Sequence, residues 1–199
     1  MQLYYNPHSR AVTAKWMLDE CGIDYALVNI DFSKREHRQP AFLQINPAGK
    51  LPVLVDGHTR IYECAAICMY LAERFPQKRL APPVGADDRG RYLSLMAYSA
   101  SQLEPAVSDA FMKVTPTAAR EWTDFREAVH VVEHELGFGP WLLGAQFSAA
   151  DVMIGSVFIW QKLFGGQSGS HKIDAYIKRL LARPAAMKLL GNTASHKTS

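Results

Sequence analysis

Along the first eighty positions the apolar residues change period several times. Residues 2–5 and 25–30 are short apolar-rich runs that predict strands. Between them Ala14, Met17, Leu18 and Cys21 recur at i, i+3, i+4 and i+7, the spacing of one helix face. Gly22 stands where that helix can close in the left-handed conformation. Strand, helix and strand in so short a span make a βαβ unit, so the two strands should run parallel. Residues 33–45 predict an irregular, partly helical connection. Val53–Val55 and Arg60–Tyr62 predict a hairpin, and Asp56-Gly57 suits a two-residue type I′ turn. Pro52 has no amide proton to give a ladder, which places it at the first position of a strand. Cys64, Ile67, Cys68 and Leu71 then share a face of a helix that Pro76 stops.

After the linker-like Ala81-Pro82-Pro83-Val84-Gly85 the strand signal ends. Tyr92, Leu95, Met96, Ser99 and Leu103 keep helical spacing, Pro105 should kink that helix, and Val107, Ala110, Phe111 and Val114 resume the pattern. Trp122, Phe125, Val129, Val132 and Leu136 predict another helix. Val152 to Trp160 is apolar nearly all round, as in a helix buried at a domain centre. Ser148 with Asp151 three residues later reads as a capping box at its start. The tail from Gly191 is small and polar and should fray. The chain therefore divides into an α/β domain over 1–78, a linker over 79–86 and an all-helical domain over 87–199.

Composition narrows the function classes. The formal net charge is +3 over 199 residues, and basic and acidic residues are interspersed, which argues against a nucleic-acid partner or a polybasic membrane anchor. No apolar run approaches membrane-spanning length, and no basic-apolar signal segment precedes the first strand. Cys21, Cys64 and Cys68 are odd in number and unpatterned, so a reducing compartment fits better than a disulfide framework. These features predict a soluble cytoplasmic protein.

Three places could carry chemistry. Leu51, just before Pro52, should keep free backbone groups at the sheet end, able to pair with an extended peptide-like ligand. Glu63 and Cys64 begin a helix whose unpaired amides favour anions. Ser9 sits between the first strand and the first helix, where its hydroxyl can cap the helix or donate to a bound thiolate. A free thiol has a pKa of about 8.5, and lowering it by about two units needs about 2.7 kcal/mol of thiolate-selective stabilisation. One charge-assisted hydrogen bond with a helix terminus is of that size. A fourth motif, His130-Val131-Val132-Glu133-His134, matches H-x-x-E-H, but Val129, Val132 and Leu136 already define the buried stripe and no downstream glutamate ligand matches, so a solvated polar face is expected and no metal.

Taken in order, Leu3-Tyr4-Tyr5-Asn6-Pro7-His8-Ser9-Arg10, Glu36-His37, Phe42, Asn46-Pro47, Lys50-Leu51-Pro52, Glu63-Cys64, Trp141-Leu142-Leu143-Gly144 and Phe147 to Asp151 resemble the cytosolic glutathione S-transferases, of a bacterial, theta/beta-like, serine-using kind. The resemblance implies a thioredoxin-like βαβ-ββα domain that binds glutathione, followed by a helical bundle. It implies Ser9, in preference to Tyr5, as the group that stabilises the glutathione thiolate, with Arg10 adding positive potential and Asn6 and His8 lining the thiol pocket. His37 and Lys50 would hold the glycyl carboxylate. Leu51 would pair through its backbone with the cysteinyl portion, helped by a cis Leu51-Pro52 bond. Glu63 would hold the γ-glutamyl ammonium. Cys64 stands where the family has serine, and a thiol is the weaker donor. Pro105, Phe111 and Met112 would wall the site of a small apolar electrophile. The resemblance further implies a homodimer, no metal and no tightly bound cofactor, with glutathione as co-substrate. Two other readings remain open: a glutathione-dependent disulfide reductase or peroxidase using Cys64, and a non-catalytic binding member of the fold.

Overall fold

Residues 1–115 and 121–187 are described by the computed structural model. They form two compact units: Met1–Lys78, joined by residues following Arg183, and Arg79–Arg183. The expected polar tail from Gly191 lies outside the described residues.

The first unit is built on four short strands. β1 (Gln2–Tyr5) and β2 (Ala26–Asn29) flank α1 (Ala11–Cys21), and they pair in parallel with Leu3 opposite Leu27. β3 (Val53–Asp56) runs antiparallel to β1, and β4 (Thr59–Tyr62) antiparallel to β3, giving the order β2-β1-β3-β4. Leu3, Val53 and Leu54 lie on the two central strands and are fully buried. Trp16, Met17 and Leu18 of α1 pack on this sheet together with Ile67 and Leu71 of α3 (Cys64–Arg74). Gly22 closes α1 at φ 61°, its N–H donating to the carbonyls of Leu18 and Asp19. The connection after β2 holds one 3-10 turn (Glu36–Arg38) and the single-turn α2 (Pro40–Leu43).

The hairpin turn differs from expectation. Asp56 pairs with Thr59, so the two loop residues are Gly57 and His58, not Asp56 and Gly57. Gly57 has φ 59° and His58 has no positive φ, the pattern of a type II′ turn. A type I′ turn would have forced His58 into the left-handed region. Asp56 thereby stays in the strand, where it accepts from the Tyr70 hydroxyl at 2.8 Å.

The second unit is helical: α4 (Arg89–Tyr98), α5 (Glu104–Met112), α6 (Phe125–Leu136), α7 (Ala149–Leu163) and α8 (His171–Leu181). α7 is buried on every side from Ala149 to Ile159, as its unbroken apolar run predicts. Its capping box forms: Ser148 Oγ accepts from the Ala150 N–H at 3.3 Å, and Asp151 Oδ2 accepts from the Ser148 N–H at 2.9 Å. The other oxygen of Asp151 accepts from the Leu142 N–H and the Tyr176 hydroxyl, each at 2.9 Å. One carboxylate thus ties the preceding loop, the start of α7 and the middle of α8. A Cβ at Gly155 would lie 2.3 Å from Leu180 Cδ1, so any larger residue there would force the buried Leu180 side chain of α8 to move.

The disturbance expected at Pro105 takes the form of a π segment over Ser99–Leu103, with Pro105 just after it in the first turn of α5. Two other expectations for this unit are corrected. Within α5 only Ala106 is buried; Phe111 and Met112 are exposed, as is Val114 just beyond the helix. Trp122 lies outside α6, because Asp124 caps that helix by accepting from the Glu127 N–H at 2.9 Å. Among the described residues no helix is long and apolar enough to cross a membrane.

Burial pushes the Asp151 carboxyl up from 3.8 to about 6, against the hydrogen bonds it accepts. Between those values the folded chain holds the proton more tightly than the unfolded chain does. The contribution is therefore full below the unfolded value and is lost as pH rises through about 6, an effect of about 3 kcal/mol. Asp151→Asn cannot titrate and loses acceptor capacity. The Tm advantage of the wild type over this variant should narrow from pH 4 to pH 7; a widening gap would mean that hydrogen bonding outweighs burial at this carboxyl.

Candidate functional site

Two asparagines shape the end of the sheet. Asn6 follows β1, and its Nδ2 donates to the Ile30 carbonyl at 2.8 Å while its Oδ1 accepts from the His8 N–H at 2.9 Å. The Asn6 carbonyl accepts from both the amide and the hydroxyl of Ser9, at 3.1 and 2.8 Å. Ser9 Oγ in turn accepts from the Ala11 N–H at 3.2 Å, satisfying an amide at the start of α1. Asn46 does the same work in the next loop. It is 1% exposed, donates to the Lys50 carbonyl at 2.9 Å and accepts from the Ala48 N–H at 3.0 Å.

Beneath both loops Ile30, Phe42 and Val53 form a buried cluster, with Tyr4, Phe32, Ile45 and Leu51 packed against it. Phe32 and Leu51 reach from that cluster into the wall of a cavity of about 310 Å³, completed by Ser9, His37, Arg38, Gly49 and Lys50. Four residues predicted from the sequence, Ser9, His37, Lys50 and Leu51, therefore meet in one space. The Leu51 backbone forms no hydrogen bond among the described residues, and the Leu51-Pro52 peptide is cis. Pro52 itself is buried.

The cavity is cationic. Burial pushes the His37 imidazole below its ordinary 6.5, and the charges of Arg38, Arg35 and Lys50 push the same way. Its ring meets Phe32 edge-on at 4.8 Å, and its Nδ1 is enclosed without a partner among the described residues. Arg38 Nη1 donates to the Ala48 carbonyl at 3.3 Å. Sequence reasoning missed Arg38, Phe32 and Gly49. Only the basic run Lys34-Arg35 and His37-Arg38 hinted at the first of these.

Glu63 and Cys64 do not line this cavity. Glu63 is the exposed N-cap of α3 at φ 71°, ψ 127°, a conformation that costs a non-glycine residue about 1–3 kcal/mol and marks functional sites. Cys64 is half-buried, and its Sγ donates to the Arg10 carbonyl at 3.4 Å. That contact sets the first turn of α3 beside the first turn of α1. Burial pushes the Cys21 thiol up to about 12 and the Cys68 thiol well above its ordinary value, which leaves both inert. Tyr5 is only 5% exposed, within the sheet, whereas His8 is exposed.

Pro105, Phe111 and Met112 belong to the other unit, on α5, with Pro105 half-buried and the other two exposed at its end. In the H-x-x-E-H motif His130 and His134 are exposed, and Glu133 accepts from the Ser170 hydroxyl. Among the described residues no group of three or more His, Cys, Asp or Glu side chains is placed to hold a metal ion.

Comparison with known proteins gives a consistent result. The family model for the glutathione S-transferase N-terminal domain matches residues 1–73, and that for the glutathione S-transferase C-terminal domain matches residues 115–166. The chain is 28% identical over 197 residues to glutathione S-transferase GstA of Escherichia coli O157:H7, covering 96% of this chain and 97% of that protein. It superimposes on a crystal structure of a glutathione transferase from Methylococcus capsulatus with TM-score 0.81 and 28% identity, covering 98% of each chain. A sphingomonad glutathione S-transferase complexed with glutathione aligns with TM-score 0.75 and 27% identity, over 98% of this chain and 99% of that one.

Gly49 has φ 60°, and a Cβ there would lie 2.8 Å from Arg38 Nη1 and 3.0 Å from the His37 carbonyl. Gly57 has nearly the same φ, 59°, but faces open space. Gly57→Ala should cost about 1 kcal/mol of stability from backbone strain alone. Gly49→Ala should cost more, and should also weaken binding of an anionic peptide in the cavity by displacing Arg38 and His37. Thermal unfolding and calorimetric titration of the two variants side by side measure the difference; equal behaviour would show that the close approach at Gly49 has no bearing on the cavity.

Proposed function

The chain belongs to the glutathione S-transferase family, and on that footing we propose how its residues divide the work of binding and activating glutathione. It is a glutathione transferase, with glutathione as its co-substrate. The observation that carries the detailed reading is the convergence of Ser9, His37, Lys50 and Leu51 on one cationic cavity.

In this reading the glycyl carboxylate lies among His37, Lys50 and Arg38. The cysteinyl backbone pairs with the free N–H and C=O of Leu51, in the manner of an added strand. Glu63, exposed and without an ion pair among the described residues, receives the γ-glutamyl ammonium, and the first amides of α3 receive the neighbouring carboxylate. Ser9 exchanges its bond to the Asn6 carbonyl for one to the thiolate. A neutral hydrogen bond is lost and a charge-assisted one gained, a net preference for the ionised sulfur. The thiol proton leaves to solvent, the sulfur attacks an electrophilic carbon, a C–S bond forms, and the leaving group departs with its electron pair. The burial of Tyr5 supports Ser9 over Tyr5 for this role. Arg10, beside Cys64, adds positive potential.

The second substrate is a small apolar electrophile, which suits a detoxifying role. The remaining features of the proposal are a cytoplasmic homodimer with neither nucleic acid nor membrane as partner.

Ser9→Ala should lower turnover with a model electrophile and raise the pKa of bound glutathione, read from thiolate absorbance, with affinity weakened less. Tyr5→Phe should cost less than that; the reverse ranking would assign activation to the tyrosine. Glu63→Ala should leave a folded protein that binds glutathione about tenfold more weakly. Cys64→Ser should bind glutathione as well or better, since a hydroxyl is the better donor, and should keep conjugation of carbon electrophiles. Loss of a disulfide-reductase activity in Cys64→Ser, with a stoichiometric glutathione adduct on Cys64 in the wild type, would replace this reading with thiol–disulfide exchange.

A further inference from the structure

A proline stands where the parallel ladder of the sheet needs a donor. In such a ladder every second residue of a strand bonds, through its N–H and its C=O, to the two residues that flank its opposite number. β2 keeps this pattern against β1. The Ala26 N–H donates to the Met1 carbonyl at 3.0 Å, and the Ile30 N–H to the Tyr5 carbonyl at 2.9 Å. Tyr5 lies opposite Asn29, so Ile30 falls opposite Asn6, and its carbonyl calls for the N–H of residue 7. Residue 7 is Pro7, which has none. The Asn6 side chain fills the gap, its Nδ2 donating to the Ile30 carbonyl at 2.8 Å. Its Oδ1 accepts from the His8 N–H at 2.9 Å, the local ring by which an asparagine fixes a turn. The carbonyl of the same residue is thereby set in place, and it accepts from the Ser9 hydroxyl at 2.8 Å. One side chain thus ties the loop to β2 and decides where the acceptor of the Ser9 proton stands. Two residues beyond Ile30, Phe32 enters the same cavity wall as Ser9.

We propose that Asn6 is a positioning residue for thiol activation: by supplying the donor that Pro7 lacks, it holds the Ser9 oxygen where its proton can turn from the Asn6 carbonyl to a bound thiolate. The proposal rests on Ser9 as the partner of the thiolate and adds the residue through which the fold places it. A hydroxyl has one proton and two acceptor sites. One acceptor site of Ser9 is taken by the Ala11 N–H at 3.2 Å, so the oxygen is held between the loop and α1. Turning the proton about the Cβ–Oγ bond releases the Asn6 carbonyl without moving that oxygen, and the Ala11 bond survives. The gain from a charged acceptor depends on alignment, because hydrogen bonds weaken steeply away from linearity. Without the Asn6 amide the Ile30 carbonyl loses its donor, and the turn from residue 6 to residue 9 loses its last tie to β2. The thiolate then meets a hydroxyl spread over many positions. His37 and Lys50, carried by other loops, keep their places, so activation suffers more than binding. Both polar atoms of the Asn6 side chain are engaged within the fold, and it acts through Ser9.

The test is a double-mutant cycle on the pKa of bound glutathione, followed by thiolate absorbance in the wild type, Asn6→Ala, Ser9→Ala and the double variant. Asn6→Ala should raise that pKa by about 1, the size of one well-placed hydrogen bond. In the Ser9→Ala background the same change should add nothing. Glutathione affinity, measured by calorimetry at a pH below that pKa, should weaken less than about threefold, since the binding groups stay in place. Asn6→Ser keeps a short acceptor for the His8 N–H but cannot reach Ile30, so it isolates the bridge and serves if the alanine variant fails to fold. It should raise the pKa in the same direction. An unchanged pKa in the folded Asn6 variants, with Ser9→Ala raising it, would overturn the proposal and leave the role of Ser9 standing. An equal rise with and without Ser9 would show that Asn6 acts by another route, which also overturns it. If Ser9→Ala leaves the pKa unchanged, the assignment of Ser9 falls and this proposal falls with it. Failure of both Asn6 variants to fold would assign the bridge to folding instead of activation, and would overturn the proposal as well.

Discussion

Wherever this chain leaves a regular element beneath cover, a polar side chain must replace the backbone partners that the element no longer supplies. Three residues meet that requirement and organise what surrounds them. Asn6 bridges the end of β1 to Ile30 and the turn into α1. Asn46 closes the loop that carries Lys50 to the sheet end. Asp151 accepts from Leu142, Ser148 and Tyr176 inside the helical unit. Buried polar groups left without partners cost free energy comparable to a lost hydrogen bond, so these short side chains restrict the loops to very few conformations. The cavity wall inherits that restriction. Ser9 is held by the carbonyl of Asn6, and Lys50 by the amide of Asn46.

The cationic character of the cavity follows from the same loops. His37, Arg38 and Lys50 come from two segments that the Phe32, Phe42 and Leu51 cluster draws together. Burial first, and the like charges of Arg38, Arg35 and Lys50 after it, shift the imidazole away from its protonated form. A carboxylate entering this space would relieve the repulsion as well as gain the attraction. Opposite it in chemical character stands Glu63, an exposed acid in a costly backbone conformation. One part of the unit thus awaits an anion and another a cation, which fits a ligand charged at both ends.

The periodicities made the gross architecture readable. The βαβ unit, the close of α1 at Gly22, the buried α7 and its capping box all depend on interactions between residues near in sequence. What escaped was set by partners far away. Asp56-Gly57 and Gly57-His58 both offer a glycine at a positive φ, and only the ladder register, Asp56 with Thr59, chooses between them. The stripe expected on α5 assumed that apolar residues at helical spacing face a core, but only Ala106 is buried there. Arg38 reads as a surface cation until its guanidinium is seen to donate to the Ala48 carbonyl at the rim of the cavity. The convergence of Ser9, His37, Lys50 and Leu51 is likewise a tertiary fact: their order resembled a family, but no local spacing brings them together.

The π segment over Ser99–Leu103 sets the register between α4 and α5. A helix that widens by one residue carries a surplus residue relative to a continuous α-helix, and each residue turns the chain by about 100°. Were the segment to tighten into regular α-helix with no residue removed, the surplus would pass down the chain and turn every following side chain by about that angle. Phe111 would swing away from Phe164, and Ala106 from the core. The facing of α5 therefore depends on the widened turn that absorbs one residue ahead of it, so whatever keeps that turn open decides which side chains of α5 meet the core.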